Sequence, residues 1–172
     1  MLAGVTIREL RDDDDLDALT ELLHRAYAPL AAAGMRFLAS HQSVEVTRHR
    51  IERGTCLVAV RSGTIVGTIV YSPPGSLGGS PFLARPDVAE FGQFAVEPSL
   101  QRTGIGAELM RRVEEMGRID GAAWMSLNTS ESAHHLIAYY EKRGYTFSEH
   151  VQWREVNYRS VIMAKPLASQ VS

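Results

Sequence analysis

The stretch that most constrains this chain is Val96-Glu97-Pro98-Ser99-Leu100-Gln101-Arg102-Thr103-Gly104-Ile105-Gly106. An apolar, strand-like run from Val88 to Val96 halts at Pro98, and a Gln-Arg-Thr-Gly-Ile-Gly turn follows. From Ala107 to Ile119 the spacing is helical, with Leu109, Met110, Val113 and Met116 turned inward. A glycine turn that opens a helix points several unpaired backbone N–H groups at one spot, and the helix dipole adds partial positive charge there. That makes an anion site suited to a pyrophosphate. Gly104 and Gly106 are expected to let the backbone approach such a ligand without a Cβ in the way. A Walker loop is excluded, because no Gly-Lys-Ser/Thr follows. The dinucleotide fingerprint is excluded too, because position 109 is Leu.

The remaining segments alternate in type. Val5 to Leu10 reads as a strand. Asp12 to Asp15 open a helix as capping carboxylates, and Leu16, Leu19, Leu23, Ala26 and Tyr27 follow at helical spacing. A calcium loop would need ligands at alternate positions around a central Gly, which these aspartates do not supply. Pro29 to Ser40 reads as an irregular connection, and Val44 to Arg53 as a second helix ended by Gly54. Cys56–Val60 and Thr64–Tyr71 form a hairpin about Arg61-Ser62-Gly63. Ser72 to Asp87 is rich in Pro, Gly and Ser and long for a compact domain, so it is either a functional loop or a mobile surface connection. Further on, Ala122–Leu127 reads as a strand and Glu131–Arg143 as a helix capped by Gly144. Tyr145–Trp153 and Ser160–Ala164 complete the sheet. No repeat or linker interrupts this order, and residues 1–172 read as one domain.

Composition narrows the function. Eighteen basic residues against 20 acidic ones give a net charge of −2 with no basic stripe, which argues against nucleic acid as a partner. A single cysteine, Cys56, rules out an intramolecular disulfide and suits a reducing compartment. Met1 to Leu10 lacks the apolar centre of a signal peptide, and no apolar run is long enough to span a membrane. A cytoplasmic protein without membrane attachment or bound metal is expected.

Gln101-Arg102-Thr103-Gly104-Ile105-Gly106 resembles the pyrophosphate loop of the GNAT superfamily of N-acetyltransferases, Gln/Arg-x-x-Gly-x-Gly/Ala, in its setting after a strand ending Val-Glu-Pro. A second block, Tyr139-Tyr140-Glu141-Lys142-Arg143-Gly144-Tyr145, is similar to that superfamily's aromatic-Tyr-Glu-Lys-x-Gly-aromatic signature. The resemblance covers nearly the whole chain and is sharpest from Glu90 to Phe147. It implies an α/β (α+β) fold: a central mixed, mostly antiparallel sheet of about seven strands with about four helices, in the order β-α-α-β-β-β-α-β-α-β-β.

The resemblance also implies roles. Acetyl-CoA would be the co-substrate, its pyrophosphate held by Gln101, Arg102, Thr103, Gly104, Ile105, Gly106 and Ala107. The backbone of Phe94, Ala95 and Val96, at the splayed end of the central strand, would pair with the pantetheine arm and supply an oxyanion donor. Tyr140 would sit by the cofactor sulfur and protonate the departing thiolate. Ala133, Leu136, Ile137 and Tyr140 share a helix face, which turns Tyr140 toward the sheet; on composition alone it would be a core tyrosine. Many relatives carry Asn where this chain has Ala133, so that cofactor contact is absent or comes from Asn128 or Ser132.

An attacking ammonium must lose a proton, and the candidates are Glu90, Glu97, His134 and His135, with an ordered water chain as the alternative. Glu90 opens the central strand in gap-free register with the position of the general base in histone acetyltransferases of the superfamily. Strand alternation predicts that Glu90, Gly92, Phe94 and Val96 face one side. The function expected is acetyl transfer from acetyl-CoA to a primary amine, on a small molecule or a peptide, by direct attack in a ternary complex. The alternative is an acyl-CoA-binding sensor or scaffold without turnover, and a homodimer is compatible with either. Acceptor contacts would come from Tyr27–His41, Ser72–Asp87 and His150–Tyr158, where aromatic residues mix with charged ones.

Overall fold

The computed structural model describes residues 2–167. β1 (Val5–Glu9) leads to α1 (Leu16–Ala32), a short 3₁₀ turn (Leu38–Ser40) and α2 (Val44–Ile51). β2 (Thr55–Arg61), β3 (Thr64–Ser72) and β4 (Val88–Val96) precede a 3₁₀ turn (Pro98–Leu100) and α3 (Ile105–Ile119). β5 (Trp124–Ser130), α4 (His134–Glu141), β6 (Thr146–Val151) and β7 (Ser160–Pro166) complete the chain. The seven strands form one sheet in the order β1-β2-β3-β4-β5-β7-β6. Every neighbouring pair is antiparallel except β4–β5. The element order is the one read from the sequence.

Local chemistry explains the elements and where their ends differ from expectation. The Asp15 side chain caps α1 by accepting from the Asp17 and Ala18 N–H groups at 2.9 and 3.1 Å. Asp14 instead takes Arg8 of β1 in a paired contact at 2.7 and 2.8 Å, which holds its carboxyl down at about 2. α1 runs through Pro29 to Ala32, where an irregular segment was expected. Pro29 lies in the last turn, and Leu30 beyond it is buried with Phe37 and Ala133, so packing outweighs the lost N–H. The β2–β3 hairpin turns through Ser62 and Gly63, both with positive φ (50° and 76°), as a two-residue turn of that hand requires. β5 starts at Trp124 and runs to Ser130, later and longer than the apolar run indicated, because β7 pairs with it throughout. α4 is correspondingly shorter, starting at His134. The 73–87 segment is pinned: Leu83 is buried, the Phe82 N–H donates to Glu149 at 3.1 Å, and Trp153 packs over Gly79.

α3 and α4 cover one face of the sheet around Leu109, Met125 and Tyr145. α1 and α2 cover the other around Leu19, Leu22 and Val58. Gly67 in β3 fixes how closely α3 approaches, since a Cβ there would lie 3.2 Å from both Ile105 and Leu109 side-chain carbons. Gly67→Val should therefore lower unfolding free energy by about 1–3 kcal/mol in denaturant titration, the usual cost of overpacking. An unchanged midpoint would mean the first turn of α3 is free to shift.

Candidate active site

β4 pairs with β3 from Glu90 to Val96 but with β5 only from Val88 to Glu90, against Trp124 to Ser126. Past Glu90 the two parallel strands part, leaving an open wedge in the middle of the sheet. The Glu97 N–H bonds the Val66 carbonyl on the β3 side at 2.8 Å. Counting back by strand alternation, the backbones of Val96 and Phe94 turn into the wedge. The Phe94 carbonyl there accepts the Tyr27 hydroxyl at 2.8 Å, and the Val96 carbonyl accepts the Gln101 amide at 3.3 Å.

A β-bulge sets which side chains flank the wedge. The β3–β4 register slips between Thr68 and Val70, and Gln93 adopts a left-handed φ of 45°. The alternation expected for Glu90, Gly92, Phe94 and Val96 is thereby broken. Glu90 and Gly92 face the α2 side, beside Arg50. Phe94 and Val96 lie on the α3 side with Phe91, and Ala95 turns to Leu23 of α1. The Phe94–Val96 side chains thus pack the two layers, and only their backbone is offered to the wedge.

At the end of β4 the chain enters the glycine turn. Arg102 (φ 65°) and Gly104 (φ 97°) are both left-handed, and Gly104 is the α3 N-cap. The first intrahelical bond runs from the Glu108 N–H to the Gly104 carbonyl. The N–H groups of Ile105, Gly106 and Ala107 therefore stay free of intrahelical partners. The helix begins two residues earlier than its spacing indicated, which puts Ile105 in the core and moves the free N–H groups with it. The glycines also divide their work differently from expectation. Gly104 supplies the positive φ, whereas a Cβ on Gly106 would meet the Phe94 ring at 3.2 Å and the Tyr139 hydroxyl at 3.3 Å. Gly106 thus lets α3 dock on β4 and α4.

Tyr140 lies on the inward face of α4 with 8% of its surface exposed. Phe91, Tyr139 and Tyr145 ring it at 6.1, 5.3 and 6.1 Å between centroids. Burial raises its pKa well above 10, and the nearby Tyr27 adds to the rise. Glu90 stands across the wedge. Its carboxyl is packed round with protein although part of the residue opens to the cleft, and burial raises its pKa to about 7. The Arg50 charge and the nearby Asn128 amide oppose that rise. The other base candidates are placed elsewhere: Glu97 pairs with Arg25 at 2.7 Å, and His134 and His135 are exposed on α4. Cys56 is buried beneath the sheet, its thiol pushed up to about 11, and is shielded from the wedge.

The acetyltransferase (GNAT) family model matches residues 16–145, spanning the wedge, the glycine turn and α4. The chain belongs to this family. An S-(2-succino)cysteine N-acetyltransferase of Bacillus subtilis is 32% identical over 136 residues, covering 78% of this chain and 80% of that protein. The fold is shared with the ribosomal-protein-S18-alanine N-acetyltransferase of Escherichia coli, at 22% identity and a TM-score of 0.71 over 98% of this chain and 96% of that one. It is shared also with a GNAT acetyltransferase of Elizabethkingia anophelis whose structure has acetyl-CoA bound, at 16% identity and a TM-score of 0.67 over 96% and 99% of the two chains. The protein is therefore an acetyltransferase of the GNAT fold.

Within the GNAT frame, Ala133 is the α4 N-cap and caps nothing by its side chain; it is fully buried against Leu30 and Phe37. Asn128 lies beside Glu90, on the opposite side of the wedge from Tyr140. Four more residues shape the site, and of these the sequence reading gives a site role only to Tyr27, as an acceptor contact. Tyr27 holds the Phe94 carbonyl, Arg143 stacks over Tyr139 at 3.6 Å, and Gln42 and Arg50 reach the floor beside Glu90. Only the three-residue spacing of Thr47 and Arg50 on α2 hinted at a polar inward face.

Proposed function

We propose that this enzyme transfers the acetyl group of acetyl-CoA to a primary amine by direct attack, with Tyr140 as acid and Glu90 as base. The observation that carries the reading is the wedge itself, with the backbone N–H groups of Phe94 and Val96 between a carboxyl raised to about 7, half ionised near neutrality, and a phenol raised well above 10. Acetyl-CoA supplies an activated acetyl. The N–H groups at the start of α3 suit its pyrophosphate, and the open edge at Phe94 and Val96 suits its amide-bearing arm. Overall, one ammonium and one thioester give an amide, a free thiol and one proton. Glu90 takes the proton that frees the amine's lone pair. The N–H of Phe94 or Val96 meets charge growing on the carbonyl oxygen. Tyr140 donates to the sulfur as the carbon–sulfur bond breaks and is reprotonated by the second proton leaving the nitrogen. The raised pKa of Tyr140 keeps it protonated until the carbon–sulfur bond breaks, and a positioned donor gives up its proton only as charge builds on sulfur.

An amino acid derivative is the acceptor favoured by the likeness to the S-(2-succino)cysteine enzyme, and S-(2-succino)cysteine is the first compound to assay. Thiol release from acetyl-CoA, followed with an amine panel, tests the reading. No release above the amine-free rate would leave a binding module. Gly104→Glu should weaken acetyl-CoA binding at least about tenfold in calorimetry, because a carboxylate would stand where an anion belongs. Because Gly104 holds a positive φ, Gly104→Ala carries the same backbone strain without the charge and is the control; unchanged affinity in a folded Gly104→Glu variant would place the pyrophosphate elsewhere.

A further inference from the structure

A buried polar chain beneath the wedge ends in a cation that has no counter-charge. The Gln42 amide donates to Gln93 Oε1 at 2.5 Å and to Thr47 Oγ1 at 2.7 Å, and Thr47 accepts from Thr20 at 2.8 Å. The Gln42 oxygen accepts from Arg50 Nη1 at 2.8 Å. Gln42 and Thr47 are almost fully buried, so the guanidinium is aimed by groups that cannot move aside. Among the described residues Arg50 makes no ion pair, and Gln93 Nε2 is buried without a partner. A half-buried arginine hydrogen-bonded only to a neutral amide is costly, and such groups ordinarily find a carboxylate or phosphate in contact.

The nearest carboxylate is Glu90, which acts on Arg50 through space but is not in contact with it. The two charges stand over successive positions on the same face of β4. Arg50 Nη2 lies 3.9 Å from where a Cβ on Gly92 would be, and Glu90 is two residues back, one pleat repeat or about 7 Å along the strand. Gly92 has no side chain to fill the floor between them. An α-amino acid carries amine and carboxylate on one carbon, so over the open floor at Gly92 it can present one group to each of two neighbouring charges. The pyrophosphate cradle lies beyond Val96 at the far end of the strand, so Arg50 is badly placed to serve it.

We propose that Arg50 receives the carboxylate of the acceptor, so that the amine acetylated opposite Glu90 belongs to an α-amino acid. Tyr27 and Tyr158 flank the same floor, and Phe37 stacks between their rings at 5.4 and 4.8 Å, giving the acceptor an aromatic wall. The inference rests on the acetyl-transfer reading for the identity of the reacting amine, but its recognition step stands apart from turnover.

The test compares α-amino acids of varied side chain with their α-carboxamides, in wild type, Arg50→Gln and Arg50→Lys. Wild type should favour the acid over the matching amide by at least about tenfold in kcat/KM. Arg50→Gln should lose about 10²-fold more on the acids, through KM, than on the amides and so erase the preference, in line with a lost charge-assisted pair; the loss common to both follows the higher Glu90 pKa and fades as pH rises. Arg50→Lys keeps the charge without the fork and should retain part of it. Equal turnover of acids and amides by wild type, or an equal loss on both in Arg50→Gln, overturns the inference and leaves acetyl transfer standing. Thermal shift with coenzyme A present gives the second readout. Acids that stabilise wild type but not Arg50→Gln, without any acetylation, would uphold Arg50 and sink acetyl transfer. No Arg50-dependent stabilisation and no preference among acids would overturn the inference outright.

Discussion

Tyr140→Phe should lower the acetylation rate by about 10²-fold, the lower end of what a positioned proton donor contributes. The variant keeps the ring, and the ring carries the packing: it touches Phe91, Tyr139 and Tyr145 in tilted and edge-to-face arrangements that need no hydroxyl. Stability should therefore hold or rise slightly, since a buried polar group is removed. Affinity for acetyl-CoA should change little, because the hydroxyl matters mainly as charge grows on sulfur. Burial holds the Tyr140 pKa well above 10, so no limb of the wild-type pH–rate profile below that range belongs to it. The drop should accordingly be uniform across neutral pH. Wild-type turnover in the Phe variant, measured where chemistry limits the rate, would leave Tyr140 as a core aromatic and move the proton donor to water.

Elements anchored by punctuation were legible in the sequence. Pro98, Gly104 and Gly144 mark a strand end, a left-handed cap and a helix stop, and the structure keeps all three. Ends decided by distant partners were not. β7 extends β5 to Ser130, and Leu30 carries α1 past Pro29, neither of which a local window contains. The bulge at Gln93 was illegible for a sharper reason. Alternation is the only strand signal in Val88–Val96, and nothing in Phe91-Gly92-Gln93-Phe94 announces a phase change. That one residue decides which side chains share a face, because Glu90 turns to the α2 side while Phe94 and Val96 pack on the α3 side. Gln93 is held in its left-handed conformation while its side chain bonds Gln42, so the bulge and the aiming of Arg50 share one anchor. The polar chain also escaped notice because its members come from α1, the 3₁₀ segment's exit, α2 and β4, each of which reads alone as an ordinary solvated position.

Glu90→Gln should remove the ascending limb of the kcat/KM profile and lower the rate by about 10²-fold near neutrality. Burial places the Glu90 carboxyl at about 7, so in wild type the base is half available near neutral pH and fully available above it. The loss should shrink as pH rises toward the amine's own pKa, because a free amine needs no base. Stability offers a reading of the same carboxyl without turnover. Its pKa is raised from 4.5 in the folded state, so the folded protein holds the proton more tightly than the unfolded chain. Wild-type stability should then fall as pH rises from about 4.5 to 7 on account of this group, and the deficit should persist above. Gln carries no such penalty. The variant should match wild type below pH 4.5 and exceed it at pH 8, by ~1–3 kcal/mol once water in the cleft is allowed for. A pH–rate profile that overlays wild type would assign the base to a water chain. A stability difference independent of pH would mean that the Glu90 carboxyl does not titrate in that window, and the cleft would then be wetter than its packing indicates.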